Sequence, residues 1–295
     1  MDQNILNHYK AFSHATFPGC YLGHLRNKLP HDTRKLGGLV RKNLIQKHIL
    51  QIHNTQSNSD LRYGDMAKVP WHRVGEDDVL TTASSMIAEL FRRDPRGIVL
   101  DRTEENGLVV SCRNVALLMA SILKSKGIPA RVRSGFSPYF ELEDMRGLSW
   151  DHWINQYWNN KKNRWITIDV DGSIEPYINF DPYDMPKDLF VFSADAWLKV
   201  RSGEIEPNHF HNAGGTSGLI VVAWELFYDF HSLMNNEPVY TNTPEITFFK
   251  VFPTLKNEDL EEIDKLAQLM QNPDENFYKL KELFDTSRKF RILRG

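Results

Sequence analysis

The stretch 107–136 constrains the fold of this chain more than any other part of its sequence. It reads GLVVSCRNVALLMASILKSKGIPARVRSGF, and the apolar residues after Cys112 recur at the spacing of one helical face. Ser111 is a suitable N-cap, and Gly127 with Pro129 provides a stop. The pattern predicts a helix whose first turn contains Cys112, followed by a strand.

The predicted position of Cys112 has a chemical consequence. The first turn of a helix has backbone N–H groups without intrahelical partners, and the helix dipole adds positive potential there. Both effects stabilise a thiolate, which is the reactive form of cysteine. A cysteine that only fills a core gains nothing from this position, so the pattern predicts a nucleophile.

Two later segments, 152–158 and 164–170, are rich in aromatic and β-branched residues and flank a short polar stretch. This pattern predicts two strands joined as a β-hairpin. The first segment begins with His152 and the second contains Asp169. The hairpin therefore places a histidine and a carboxylate on neighbouring strands.

The separation of these two side chains depends on the register of the hairpin. A four-residue loop at 159–162 pairs Trp158 with Asn163 and sets His152 opposite Asp169. Opposed residues have Cβ atoms about 4.5–5.5 Å apart, close enough for a side-chain hydrogen bond. A loop one residue longer or shorter turns the two side chains to opposite faces, so this register is chosen with the functional hypothesis in mind.

Cys112, His152 and Asp169, in this order, form the elements of a cysteine-based catalytic triad. The histidine takes the thiol proton, and the carboxylate orients the ring and supports its charged form. With the motif GIPARVRSGF, a histidine followed by tryptophan and an aspartate after Trp165, the chain resembles the transglutaminase-like superfamily of papain-like cysteine enzymes over residues 80–172. The stretches FDPYDMP, SADAWLKVRSGEIEP and TFPGCYLGHLRNKLPHD are similar to a bacterial subgroup of transglutaminase-domain proteins.

The residues after Asp169 depart from that subgroup. There the catalytic aspartate precedes a run such as Ala-Gln-Leu-Asp, whereas here Val170, Asp171 and Gly172 follow. Alternation along a strand puts Asp169 and Asp171 on the same face. Asp171 is therefore a rival for the acidic role.

The resemblance implies an α+β fold. It implies a papain-like/transglutaminase-like core in which the helix of Cys112 packs on an antiparallel sheet, wrapped by helices from both ends of the chain. The expected organisation is a single domain over 1–295, with a catalytic core at 79–185 and helical flanks at 1–78 and 186–295.

The implied chemistry is acyl transfer through a thioester on Cys112, without a cofactor, on a peptide, a protein or a small amide or acyl substrate. The backbone N–H of Cys112 is one expected oxyanion donor, and Trp71 and Gln156 are candidates for the second. Water as acceptor makes a protease or amidase, and an amine acceptor makes a transglutaminase or amide-forming acyltransferase. A scaffold that only binds a peptide or partner is the alternative from another class, and the presence of all three triad residues argues against it.

Helical periodicity also predicts elements on both sides of this segment. Their ranges are 32–50, 79–93, 193–201, 219–235, 257–270 and 274–285. Arg131 and Arg133 alternate with apolar residues, which favours a solvated strand face over the alternative that either arginine binds an anionic group. Trp71 and His72 are expected to pack against the core, and a place in the wall of the cleft is the alternative.

Composition restricts the class of partner. The chain has 295 residues, a formal net charge of −2, 41% hydrophobic and 25% charged residues, which is typical of a globular protein. This balance gives no electrostatic reason to expect nucleic acid. No apolar run approaches the roughly 20 residues of a membrane span, and no signal-peptide pattern begins the sequence. A cytoplasmic protein with reduced Cys20 and Cys112 is expected.

Two groups of potential metal ligands lack a complete ligand set. Cys20, His24 and His31 do not follow a common zinc spacing, and no fourth ligand is evident. His209 and His211 lie in a predicted loop without further ligands, and a mobile loop at the cleft is the preferred interpretation of that stretch. No metal site is expected, and the sequence does not indicate an oligomeric state.

Overall fold

The computed structural model describes residues 1–48, 65–140, 147–171 and 179–292. The chain forms two compact units, each built from separate segments. The first unit comprises Met1–His8, Arg131–Trp153 and Pro186–Gly295, and the second comprises Tyr9–Ala130 and Ile154–Met185. Both units contain helices and strands, which confirms the predicted α+β class. The predicted limits of the catalytic core stay a prediction.

Regular elements follow one another closely along the described ranges. The α-helices are α1 Gln3–Lys10, α2 Leu22–Asn27, α3 Thr33–Asn43, α4 Glu76–Val79, α5 Ala83–Arg93, α6 Cys112–Ser125, α7 Ser193–Arg201, α8 Leu219–Leu233, α9 Asn257–Gln271 and α10 Phe277–Thr286. The strands are β1 Leu44–Gln46, β2 Leu108–Val110, β3 Ala130–Ser137, β4 Ser149–Asn159, β5 Arg164–Ile168, β6 Val191–Phe192 and β7 Phe210–His211.

Helix α6 is the centre of the second unit, and every one of its 14 residues is buried. Helices α2, α3 and α5 pack against it. Gly127 adopts a φ of +75°, a left-handed conformation that suits glycine, directly after the helix ends. The helix beginning at Cys112 and stopped near Gly127 is thus confirmed.

The predicted helix over 32–50 is too long. Helix α3 is capped by Asp32, whose side chain accepts the Lys35 N–H, and it ends at Asn43. The next residues form β1 and pair in parallel with β2. The Asn43 side-chain amide donates to the carbonyl of Val99 at 2.7 Å, so a tertiary contact accompanies the end of the helix.

The predicted helix over 79–93 is two helices, α4 and α5, with a break at residues 80–82. Thr82 is extended, and its side chain caps the Ser85 N–H in a reciprocal capping box. The cap begins a new helix at Ala83, whereas the apolar spacing alone predicts one continuous helix.

The sheet is antiparallel in its main pairings. In the first unit, β3 pairs with β6, and the beginning of β4 pairs in parallel with β7. In the second unit, the end of β4 pairs in antiparallel fashion with β5. There the Asn155 side-chain amide donates to the Ala116 carbonyl of α6 at 2.9 Å, so the predicted packing of the Cys112 helix on an antiparallel sheet is confirmed.

The predicted register of the β4–β5 hairpin is wrong by two residues. Trp158 pairs with Trp165, and Asn159 pairs with Arg164, so the loop is 160–163. Asn159 remains in the strand, and its side chain accepts the N–H groups of Lys161 and Lys162 at 3.0 Å each. Asn163 closes the turn with a φ of +47°, a conformation that asparagine tolerates better than most residues. The strand-pairing argument for Asp169 is therefore lost.

The expected solvated face of β3 is also wrong. Arg131 and Arg133 are each only 3% exposed. Arg131 binds Asp274, and Arg133 binds Asp229 of α8, both at 2.7 Å. These pairs join β3 to later segments of the first unit, which local alternation cannot reveal.

The helices predicted over 193–201 and 219–235 are confirmed as α7 and α8, and α8 is buried. Those over 257–270 and 274–285 are confirmed as α9 and α10 with small shifts of their ends. Within the described ranges, no helix combines the length and the apolar character needed to cross a lipid bilayer.

Candidate active site

Cys112 is the first residue of α6 and is 7% exposed. Ser111 occupies the N-cap position with extended backbone, as predicted, but its side chain makes no cap to a backbone N–H. Its hydroxyl instead donates to the Asn114 side chain at 2.8 Å, and the Asn114 amide donates to the Leu80 carbonyl at 2.7 Å. The first turn of α6 is therefore anchored to the break between α4 and α5.

A network of charges holds the chain just before Cys112. Glu76 accepts hydrogen bonds from Arg73 at 2.5 Å, from Arg93 at 2.7 Å and from the Val109 N–H at 2.8 Å. Both arginines also donate to the carbonyl of Gly107. The network thus holds Gly107 and Val109, in the short segment that leads into the helix of Cys112.

The charge state of Glu76 follows from these contacts. Burial raises the pKa of this carboxyl, but the hydrogen bonds from Arg73, Arg93 and the Val109 N–H outweigh burial and leave the pKa below its ordinary value. Glu76 is therefore a carboxylate at neutral pH. The negative carboxylate accepts hydrogen bonds from both positive arginines, so each charged group of the network has a partner of opposite charge.

His152 lies on β4 in the first unit and is 1% exposed. Its ring meets Phe140 edge-on at a centroid distance of 5.0 Å and Tyr139 edge-on at 6.5 Å. The next residue, Trp153, is also 1% exposed and contacts Tyr228 at 5.5 Å. Aromatic rings are thus prominent contacts of His152 and of the residue that follows it.

Asp169 directly follows β5 in the second unit and is 2% exposed. Its backbone N–H donates to the Pro182 carbonyl at 2.8 Å, and its carboxylate accepts the Asp171 N–H at 3.0 Å. This side-chain turn holds the Asp169 carboxylate in one orientation. Asp171 is similarly buried, at 3% exposure, so burial does not separate the two candidates.

The two candidates for the second oxyanion donor have different surroundings. Trp71 is 74% exposed, so the expectation that it packs against the core is wrong. Gln156 is 8% exposed, and its amide donates to the Thr167 hydroxyl at 3.0 Å. A role for either in an oxyanion hole stays a prediction.

Sequence reasoning missed the residues that support the site. Arg73 and Glu76 are three residues apart, a spacing that suits a local ion pair, so the sequence could have predicted this contact. Arg93 and Val109 approach Glu76 from 17 and 33 residues away, and no sequence signal marks those contacts. The residues described contain no cluster of histidine, cysteine and carboxylate side chains suited to a metal.

Comparison with known proteins identifies the segment that carries these residues. The model of the transglutaminase-like superfamily matches residues 93–170. A search of curated proteins finds no match. Among solved structures, the chain is similar to "a Putative Cysteine Protease from Cytophaga hutchinsonii", with 14% identity and a TM-score of 0.36. That match covers 66% of this chain and 50% of the other, so it spans only half the length of that protein. The stretch 93–170, which contains Cys112, His152 and Asp169, is therefore similar to the transglutaminase-like superfamily.

Proposed function

We propose that this protein is a cysteine-dependent acyl-transfer enzyme in which Cys112 is the nucleophile, His152 the general base and acid, and Asp169 the residue that orients His152. One observation carries the proposal: the superfamily match contains all three residues in the order that such a triad requires. The position of Cys112 as the first residue of α6 adds a thiolate-stabilising helix terminus.

The proposed reaction has two halves. His152 takes the Cys112 proton, and the thiolate attacks the carbonyl carbon of an amide or ester. The resulting oxyanion binds the Cys112 backbone N–H, and its collapse expels the leaving group, which takes the proton from His152. In the second half, water or an amine gives a proton to His152 and attacks the thioester, and the expelled Cys112 thiolate takes that proton back to become the thiol.

The acceptor decides the class of enzyme. Water yields a carboxylic acid, and the protein is then a protease or amidase. An amine yields a new amide, and the protein is then a transglutaminase or amide-forming acyltransferase. Mass analysis of the products of a p-nitrophenyl ester, with and without an added primary amine, distinguishes the two outcomes.

The test of the nucleophile compares the two thiols of the chain. Cys20 is exposed and Cys112 is buried, so access alone favours alkylation of Cys20. We expect iodoacetamide to label Cys112 faster than Cys20 near neutral pH, because the thiolate is the reacting form. The rate at Cys112 falls in His152→Ala and not in His31→Ala, which changes an exposed histidine. Peptide mass spectrometry over time gives both rates.

Two results contradict the proposal. Slower labelling of Cys112 than of Cys20, unchanged in His152→Ala, means that Cys112 is not activated by that histidine. The second result is rapid labelling of Cys112 without formation of an acyl-enzyme when the protein is incubated with p-nitrophenyl acetate and its intact mass is measured. This result favours a binding scaffold.

The choice between Asp169 and Asp171 has its own test. The superfamily match ends at residue 170, so it includes Asp169 and excludes Asp171. We expect Asp169→Asn to slow acylation of Cys112 by roughly 10- to 1,000-fold, less than the roughly 10,000-fold of serine triads, because a cysteine–histidine pair depends less on the carboxylate. Asp171→Asn remains near wild type. A loss confined to Asp171→Asn would assign the role to Asp171.

A further inference from the structure

The segment 207–218, here called the clamp segment, is attached to the beginning of β4. It starts as a short turn at Pro207–His209 and continues as β7, which pairs in parallel with Ser149 and Trp150. It then reverses at Gly215, whose φ is +84°, so that the N–H of Asn212 donates to the carbonyl of Thr216 at 2.9 Å.

Two histidines of the clamp segment contact consecutive residues of β4. The Nε2 atom of His209 lies 2.9 Å from the Ser149 hydroxyl, and Ser149 is 1% exposed. The ring of His211 stacks on Trp150, with centroids 5.3 Å apart and planes inclined at 30°. The His211 ring is itself held by a 2.9 Å hydrogen bond with the Asn208 carbonyl.

The third contact reaches the residue just before His152. The Asp151 carboxylate accepts the N–H of Ala213 at 2.8 Å. The clamp segment therefore holds Ser149, Trp150 and Asp151 in turn, through a hydrogen bond, a ring stack and a charged hydrogen bond. Such a sequence of contacts on successive residues limits sliding and twisting of this part of the strand.

β4 is a hydrogen-bonded neighbour of β3, and it also pairs with β7 at its beginning and with β5 at its end. Pairing with β7 covers Ser149 and Trp150, and pairing with β5 covers 155–159. His152 stands on the stretch between the two. A catalytic histidine has to be held within about 0.5 Å of its working position.

We propose that the clamp segment positions His152, with His209 as the main positioning residue through its bond to Ser149. The proposal rests on the proposed function only for the consequence at Cys112; the effect on the orientation of His152 does not depend on it. Burial, and secondarily the nearby His211, lowers the pKa of His209. The neutral ring that this favours can still share a hydrogen bond with the Ser149 hydroxyl.

The experiment uses the full chain with Cys20→Ser, so that one thiol remains. Ser149→Ala and His209→Ala each remove the same hydrogen bond from opposite sides, and His209→Gln supplies an amide that can replace it. His31→Ala is the control for loss of an exposed histidine. The readouts are the ring nitrogen NMR signals of His152, the alkylation rate of Cys112 near neutral pH, and the thermal midpoint.

We expect both Ala variants to shift the His152 signals and to slow Cys112 alkylation roughly three- to tenfold, the effect of one hydrogen bond. His209→Gln returns both readouts toward wild type, and His31→Ala changes neither. His152 signals that coincide with wild type in Ser149→Ala and His209→Ala overturn the proposal, as does a failure of His209→Gln to restore them. If the signals move while His152→Ala leaves alkylation unchanged, positioning stands and the proposed function fails.

Discussion

The surroundings of Cys112 and of His152 differ in kind. The segment leading to Cys112 is held by Glu76 and two arginines, whose hydrogen bonds end on backbone groups of Gly107 and Val109. His152 is met by the edges of aromatic rings, and its neighbour Trp153 packs on further rings. One region is supported by directed charge and the other by aromatic volume.

The difference matches what each residue would do under the proposed function. At a helix start the direction of the N–H groups decides how they act on an anion, and hydrogen bonds fix direction. Around an imidazole, rings limit water and hold the side chain by contact over a large area. The two regions should therefore respond differently to loss of volume, loss of charge and change of pH.

The largest expected effect is loss of aromatic volume beside His152. Trp153→Ala should lower the free energy of unfolding by about 3–5 kcal/mol, since it leaves a large cavity in a buried site. Trp71→Ala is the matched control, because Trp71 is 74% exposed, and it should change stability by less than about 0.5 kcal/mol. Urea titration followed by circular dichroism measures both. Equal effects would mean that the rings around Trp153 are not a packed region.

Loss of charge in the Glu76 network should have a smaller effect. Glu76→Gln keeps the size of the side chain but weakens its bonds to Arg73 and Arg93, which are 12% and 11% exposed. Arg93 keeps its ion pair with Glu89. We expect a loss of about 1.5–3 kcal/mol, the usual scale for hydrogen bonds to charged groups. Glu105→Gln, at an exposed neighbouring position, should be near neutral. A Glu76→Gln protein as stable as wild type would show that the network only accompanies the fold.

The smallest expected effect is the pH dependence of stability that comes from Glu89, which shares Arg93 with Glu76. Hydrogen bonds from Arg92, and then from Arg93, lower the pKa of Glu89 from 4.5 to about 2. A carboxyl with a lowered folded-state pKa contributes stability above its unfolded pKa and loses that contribution as pH falls through the folded value. The stability difference between wild type and Glu89→Gln should therefore shrink between about pH 4.5 and pH 2. A difference that stays constant over this range would mean that Glu89 is not ion-paired in solution.

Several elements could be predicted because their signals are local. Helix α6 follows from apolar spacing after Cys112, with Ser111 before it and Gly127 after it. The β4 and β5 strands follow from runs of aromatic and β-branched residues. In each case the residues that determine the element lie within it or beside it.

Other features were mispredicted because competing local patterns look alike. A four-residue loop was expected from residue 159, but Asn159 and Asn163 together favour a loop one residue later. The alternation on β3 looked like a solvated face, yet Arg131 and Arg133 are buried against aspartates from distant segments. A charged residue on a predicted strand can therefore face solvent or a buried partner of opposite charge, and the strand pattern does not distinguish the two.

The sequence by itself determined the helix that begins at Cys112, the order of Cys112, His152 and Asp169 and the class of fold, because helix caps, periodicity and motif order are properties of neighbouring residues. Only the tertiary structure decided the hairpin register, the partners of Glu76 and the contact of His209 with Ser149. The hairpin register is a choice between local pairings that look alike, whereas the contacts of Glu76 with Arg93 and Val109 and of His209 with Ser149 join residues that are distant in sequence. They form only where the folded chain closes on itself, and the energies that select them depend on burial and geometry that no local pattern contains.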